Sequence, residues 1–121
     1  MPQTVAVIGA SSNRAKFGNK AVRAYRRQGF EVLPVNPRAD VIEGLKCWRS
    51  IADVPGPIDR ALFYVPSKIG MKAIEELAAR GDVDEVWLNP GAESDELIAR
   101  AEELGFAPIM ACAIVDIGER P

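Results

Sequence analysis

The sequence predicts an α/β domain built on a five-stranded parallel sheet of order 3-2-1-4-5, with helices on both faces. Three observations carry this expectation. Short runs rich in Val, Ile and Leu alternate with longer amphipathic stretches. The longer stretches end on glycine, at Gly29, Gly81 and Gly105, and glycine readily takes the left-handed conformation that closes a helix. The short runs lack internal polar alternation, as strands do when both faces of a parallel sheet are covered.

Each element can be placed in order. Thr4–Gly9 is the first strand. Asn19–Gln28 reads as a helix, with Ala21, Val22 and Tyr25 on one face and Arg23, Arg26 and Arg27 turned away. Phe30–Val35 is the second strand, stopped by Asn36-Pro37. Residues 41–49 read as a loop with some extended character, and Ser50–Val54 as a short helical turn before Pro55-Gly56-Pro57. Arg60–Val65 is the third strand. Ser67 is placed to N-cap a helix that buries Gly70, Ala73, Ile74, Leu77 and Ala78. Glu85–Leu88 is the fourth strand. Ser94 caps the last helix, with Asp95 and Glu96 in its first turn and Leu97, Ile98, Ala101 and Leu104 inward. Ala107–Val115 supplies the fifth strand. The alternation is Rossmann-like, and such sheets bind ligands at the carboxyl ends of their strands, near the point where strand order reverses. Residues 1–121 read as one domain.

Composition narrows the chemistry. The chain is 48% hydrophobic and 26% charged with a net charge of -2, which lacks the basic footprint of a nucleic-acid binder. No apolar run reaches the ~20 residues that span a bilayer, so no membrane partner is expected. The opening MPQTVAVIG leads into a strand without a basic region, which does not suit a signal peptide. With two separated cysteines, Cys47 and Cys112, the expectation is a cytoplasmic protein with reduced thiols. The sequence holds no histidine. That excludes a Ser-His-Asp triad, a histidine base or metal ligand, and a phosphohistidine. No metal site is expected.

The first loop carries the strongest functional signal. Gly9, Ala10, Ser11, Ser12, Lys16, Phe17 and Gly18 lie between the first strand and the first helix, in a connection longer than most of its kind. Gly9 permits close backbone approach, Ser11 and Ser12 offer hydroxyl and amide groups, and Lys16 and Arg14 add positive charge. A helix start here favours an anion such as a pyrophosphate. The spacing is not G-x-G-x-x-G. After the second strand come Asn36, Pro37 and Arg38, where NAD-binding domains place a carboxylate for the ribose 2′-hydroxyl. Arg38 favours a phosphate on the ribose instead. NADP carries one at the 2′ position and coenzyme A (CoA) at the 3′ position. Val65 and Pro66, leaving the third strand, are placed to flank the nucleotide. Cys112 follows the fifth strand. It reads foremost as a core cysteine, with a mixed disulfide to a thiol ligand as the alternative.

Taken in order, Val7-Ile8-Gly9-Ala10-Ser11, Val35-Asn36-Pro37-Arg38, Gly44-Leu45-Lys46-Cys47-Trp48 running to Val54-Pro55, and Trp87-Leu88-Asn89-Pro90-Gly91 resemble the small stand-alone CoA-binding proteins. These are relatives of the N-terminal domain of the succinyl-CoA synthetase α-subunit. The resemblance implies that Gly9, Ser11, Ser12, Lys16 and Gly18 hold the CoA pyrophosphate. It further implies that Asn36, Pro37 and Arg38 meet the adenosine and its 3′-phosphate, and that Val65 and Pro66 line the nucleotide. The synthetase's phosphohistidine lies in another domain and is not implied. The expected function is a non-enzymatic carrier, sensor or regulatory module for CoA or acyl-CoA, with no protein partner identified. The alternatives are an NADP-binding accessory of a reductase and an interaction protein whose nucleotide site has decayed.

Overall fold

A computed structural model describes residues 3–121. Four parallel strands form the sheet: β1 (Thr4–Ile8), β2 (Glu31–Val35), β5 (Ile58–Phe63) and β6 (Val83–Leu88). Between β2 and β5, β3 (Val41–Ile42) and β4 (Leu45–Lys46) make a small antiparallel hairpin. Its turn, Glu43-Gly44, has φ of 50° and 76°, the doubly positive geometry of two-residue hairpins. The helices are α1 (Phe17–Arg27), α2 (Ser67–Arg80), α3 (Asp95–Glu103) and α4 (Ala113–Asp116), with a 3-10 turn at Ile51–Asp53.

The strands alternate their side chains between two cores. Ala6, Ile8, Leu33, Val35, Ala61, Phe63 and Leu88 pack with Ile74 and Leu77 of α2, Leu97 of α3 and Ile51 of the 3-10 turn. Val5, Val7, Val32, Leu62 and Trp87 pack with Ala21, Val22 and Tyr25 of α1 and Ile114 of α4. Helices therefore cover both faces, as expected, and the carboxyl-terminal part of each of the four strands is apolar and buried because neither face meets water there. Among the described residues, no helix is long and apolar enough to cross a membrane.

The predicted sheet differs in two ways. The order is β2-β1-β5-β6, so the third predicted strand pairs with β1, not with β2. The place beyond β2 is taken by a single parallel bridge, Val35 to Trp48, where Trp48 N–H donates to Pro34 and Asn36 N–H donates to Trp48. The fifth strand, expected over 107–115, does not form. Ile109 makes one parallel bridge with Trp87, and residues 113–116 turn into α4 instead. Pro108 has no N–H to offer a ladder. The Ala113 N–H is captured by Asn89 Oδ1 at 2.9 Å, and the Ala113 carbonyl accepts from Tyr25 Oη at 2.7 Å. An apolar run this short reads equally as strand or helix, and these side-chain bonds select the helix. The sheet thus has four strands instead of the five expected, flanked on its two sides by the single bridges of Trp48 and Ile109.

Two smaller differences bear on the site. Helix α1 starts at Phe17, two residues before the predicted start. Pro66, not Ser67, is the N-cap of α2, and Ser67 Oγ instead meets Ser94 Oγ. Ser94 does cap α3, accepting from the Leu97 N–H at 3.1 Å. Ser50 likewise caps the 3-10 turn through the Ala52 N–H.

Candidate functional site

The carboxyl ends of β1, β2 and β5 open into two clefts that share Gly9, Asn36 and Val65. The larger, about 620 Å³, lies over the loop from β1 to α1 and includes Ala10, Ser11, Lys16, Phe17, Gly18 and Pro66. The smaller, about 440 Å³, lies over β2 and includes Pro37 and Arg38. Both fall in the usual size range of small-molecule sites, about 300–1,000 Å³. Of the residues the sequence assigned to nucleotide binding, all line this groove except exposed Ser12 and Arg14, the latter paired with Glu43 at 3.7 Å.

The loop is anchored before it reaches the groove. The Gly9 and Ala10 N–H groups both donate to the Val35 carbonyl, at 3.1 and 3.2 Å. These two residues shape the site and have no amide to give a ligand. Gly9 has φ +93°, and a Cβ there would sit 2.5 Å from the Tyr64 carbonyl oxygen. A Cβ on Gly18 would fall on the Gly9 carbonyl oxygen. Both glycines are thus required by the close packing of β1, α1 and the end of β5, before any ligand arrives.

Further along, the loop turns on its own side chains. Ser11 Oγ accepts from the Asn13 N–H, and Asn13 Oδ1 accepts from the Ala15 N–H, each at 3.0 Å. The N–H groups of Ser11, Ser12, Phe17 and Gly18 have no hydrogen-bond partner among the described residues. Phe17 and Gly18 open α1, where the helix dipole adds partial positive charge. Lys16 stands exposed beside them. The arrangement can bind an anion.

Three asparagines hold the loops in place. Asn36 Nδ2 donates to the Ala10 carbonyl at 2.7 Å and its Oδ1 accepts from the Arg38 N–H at 2.8 Å, tying the two halves of the groove together. Fully buried Asn19 donates from Nδ2 to the Ser11 carbonyl at 2.8 Å and to Glu43 Oε2 at 3.1 Å. Asn89, also buried, donates to the Phe63 carbonyl at 3.0 Å and accepts from Ala113. Asn36 is therefore a positioning group at least as much as a contact. Asn19 and Asn89 were missed as framework residues, since nothing in the local pattern distinguishes a buried asparagine from a turn former.

The sequence reading missed Arg49, Ile69, Lys72 and Glu76, which line the smaller cleft, whereas Tyr64 and Pro90, at the ends of the strands that precede them, line the larger one. Helical spacing could have placed Ile69, Lys72 and Glu76 on one face of α2. Among the described residues the Tyr64 hydroxyl is buried without a partner, and burial holds the phenol far above its usual range. Cys47 is buried, which raises its thiol pKa. Cys112 is half-buried against the α1 side of the core and is not among the residues lining the two clefts.

The profile of the CoA binding domain family matches residues 3–117. The chain belongs to that family. A conserved hypothetical protein from Pyrococcus furiosus has the same fold, with a TM-score of 0.86 and 39% identity over 96% of this chain and 99% of that one. The acetate–CoA ligase [ADP-forming] II of Archaeoglobus fulgidus is 41% identical over 92 residues, 74% of this chain but 14% of the ligase. The uncharacterized Bacillus subtilis protein YneT is 27% identical over 110 residues, covering 91% of this chain and 81% of YneT. The family thus includes stand-alone chains of this size and small portions of much longer ligases.

Proposed function

We propose that this protein binds CoA or an acyl-CoA along the groove and acts as a non-enzymatic carrier, sensor or regulatory module in the cytoplasm. The observation that carries the reading is a groove with the unpaired amides of Ser11, Phe17 and Gly18 at one end and Arg38 at the other. The first set suits a pyrophosphate, and Arg38 suits a phosphate on the ribose. Family membership supports CoA as the nucleotide. No carboxylate stands at the end of β2 to accept the 2′-hydroxyl of NAD.

Binding rather than catalysis is favoured by the lack of histidine in the sequence. It is favoured also by site acids that are few and engaged, Glu76 by Ser50 Oγ at 2.9 Å. The activity in the name of the Archaeoglobus ligase belongs to a protein of which this chain spans 14%. Calorimetric titration with CoA, NADP and NAD tests the reading. CoA should bind and NAD should not. Tighter binding of NADP than CoA would transfer the site to a reductase-type cofactor, and no binding of any of the three would leave a decayed site. Incubation with CoA, ATP and short carboxylic acids should give no turnover above background.

A further inference from the structure

The smaller cleft carries more positive charge than a site for adenosine alone requires. Its floor is apolar, formed by Ile8, Val35, Ile51 and Val65. Around this floor stand three cations from three separate elements: Arg38 in the turn after β2, Arg49 in the segment after β4, and Lys72 on α2. Among the described residues, the side chains of Arg38 and Lys72 have no hydrogen-bond or ion-pair partner. Arg49 pairs with Asp40 at 2.9 Å, but the two side chains are 67% and 79% exposed. Such a pair contributes little and exchanges readily. Glu76, the only acid lining this cleft among the described residues, lies one helical turn beyond Lys72 and accepts from the Ser50 hydroxyl, which lines the cleft too.

We propose that Lys72 and Arg49 join Arg38 in a clamp for a phosphate on the ribose, and so decide which nucleotide this protein selects. The inference rests on the nucleotide reading above. Three cations around one apolar cleft, whose one lining acid, Glu76, accepts from the Ser50 hydroxyl, match a dianion and not a neutral sugar. A neutral ribose is read by carboxylate or amide acceptors, and a purine by flat apolar walls. The clamp shares Gly9, Asn36 and Val65 with the amide cluster at α1, so one ligand with two separated phosphate groups would engage both.

The test measures affinity of the full chain for four probes: CoA, dephospho-CoA, NADP and NAD. Wild type should bind CoA at least about tenfold more tightly than dephospho-CoA, as a charge-assisted contact predicts. Lys72→Ala and Arg49→Ala should each lower CoA affinity several-fold and leave dephospho-CoA within about twofold. Lys72→Arg should restore most of the loss. Circular dichroism would verify folding of each exposed-site variant. Equal loss for both CoA forms, or no loss with either, overturns the clamp while CoA binding stands. If CoA does not bind but NADP binds better than NAD, the CoA reading falls, and the same variants must abolish that preference for the clamp to survive. If none of the four probes binds, both fall.

Discussion

Replacing Gly9 by alanine separates two costs that the structure assigns to different glycines. Gly9 has φ +93°, and an added Cβ would lie 2.5 Å from the Tyr64 carbonyl oxygen and 2.8 Å from Val65 Cγ1. The left-handed backbone alone costs an L-residue about 1–2 kcal/mol. The first contact is with backbone at the end of β5, which cannot give way without shifting the β1–β5 register, and overpacking of this kind costs about 1–3 kcal/mol. Alanine recovers about 0.4–1 kcal/mol by restricting the unfolded chain. The net expectation for Gly9→Ala is a loss of about 2–4 kcal/mol, a large part of the ~5–15 kcal/mol typical of a domain. Two controls isolate the terms. Gly29 has φ +88° but nothing within 4 Å of a Cβ, so Gly29→Ala should lose only about 1 kcal/mol. Gly18 lies in α1, where alanine is otherwise favoured by about 1 kcal/mol, but its Cβ would fall on the Gly9 carbonyl oxygen. Gly18→Ala should therefore destabilise through contact alone. Urea denaturation of the three variants reads all of this directly. Equal losses for Gly9→Ala and Gly29→Ala, within ~0.5 kcal/mol, would refute the close-packing argument.

Three further outcomes follow from the same geometry. Asn89→Ala strands the Phe63 carbonyl and the Ala113 N–H, and at about 1–3 kcal/mol for each buried unpaired group it should destabilise by about 2–6 kcal/mol. It should also speed amide exchange at Ala113, and unchanged exchange there would show that α4 is held by other means. Tyr25 and Tyr64, the only tyrosines, both have phenols pushed upward by burial. A folded pKa above the unfolded value contributes stability that is complete below the ordinary phenol value of about 10 and is lost as the pH climbs from there toward the folded pKa. Phenolate absorbance should therefore lag that of a free tyrosine and rise together with alkaline unfolding; a normal titration of both in the folded protein would contradict the burial. At mildly alkaline pH an alkylating reagent should modify half-buried Cys112 well before buried Cys47, whose thiol is raised by desolvation, with mass spectrometry of peptides giving the order.

The sequence by itself determined which segments are helix or buried strand wherever a long or strongly patterned run decided the matter. It located α1, α2 and α3, the apolar strands, and the loop from Gly9 to Gly18 with Asn36, Pro37 and Arg38 opposite it. These are local properties: side-chain period, helix ends, and the chemistry of residues next to one another in the chain. Tertiary structure alone decided what depends on partners distant in sequence. The run at 107–115 carries enough apolar residues for a strand, but Asn89 and Tyr25 claim the Ala113 backbone and turn it into α4. Strand order was settled by Trp48 bridging to Val35 and leaving β5 to pair with β1. The cations of the smaller cleft come from three separate segments, and only the bridge of Trp48 to Val35 and the packing of α2 on the 3-10 turn bring Arg49 and Lys72 to the same cleft as Arg38. A hydrogen bond or a charge cluster between remote residues leaves no periodic trace in the chain, because its energy is gained only once the sheet has brought the partners together.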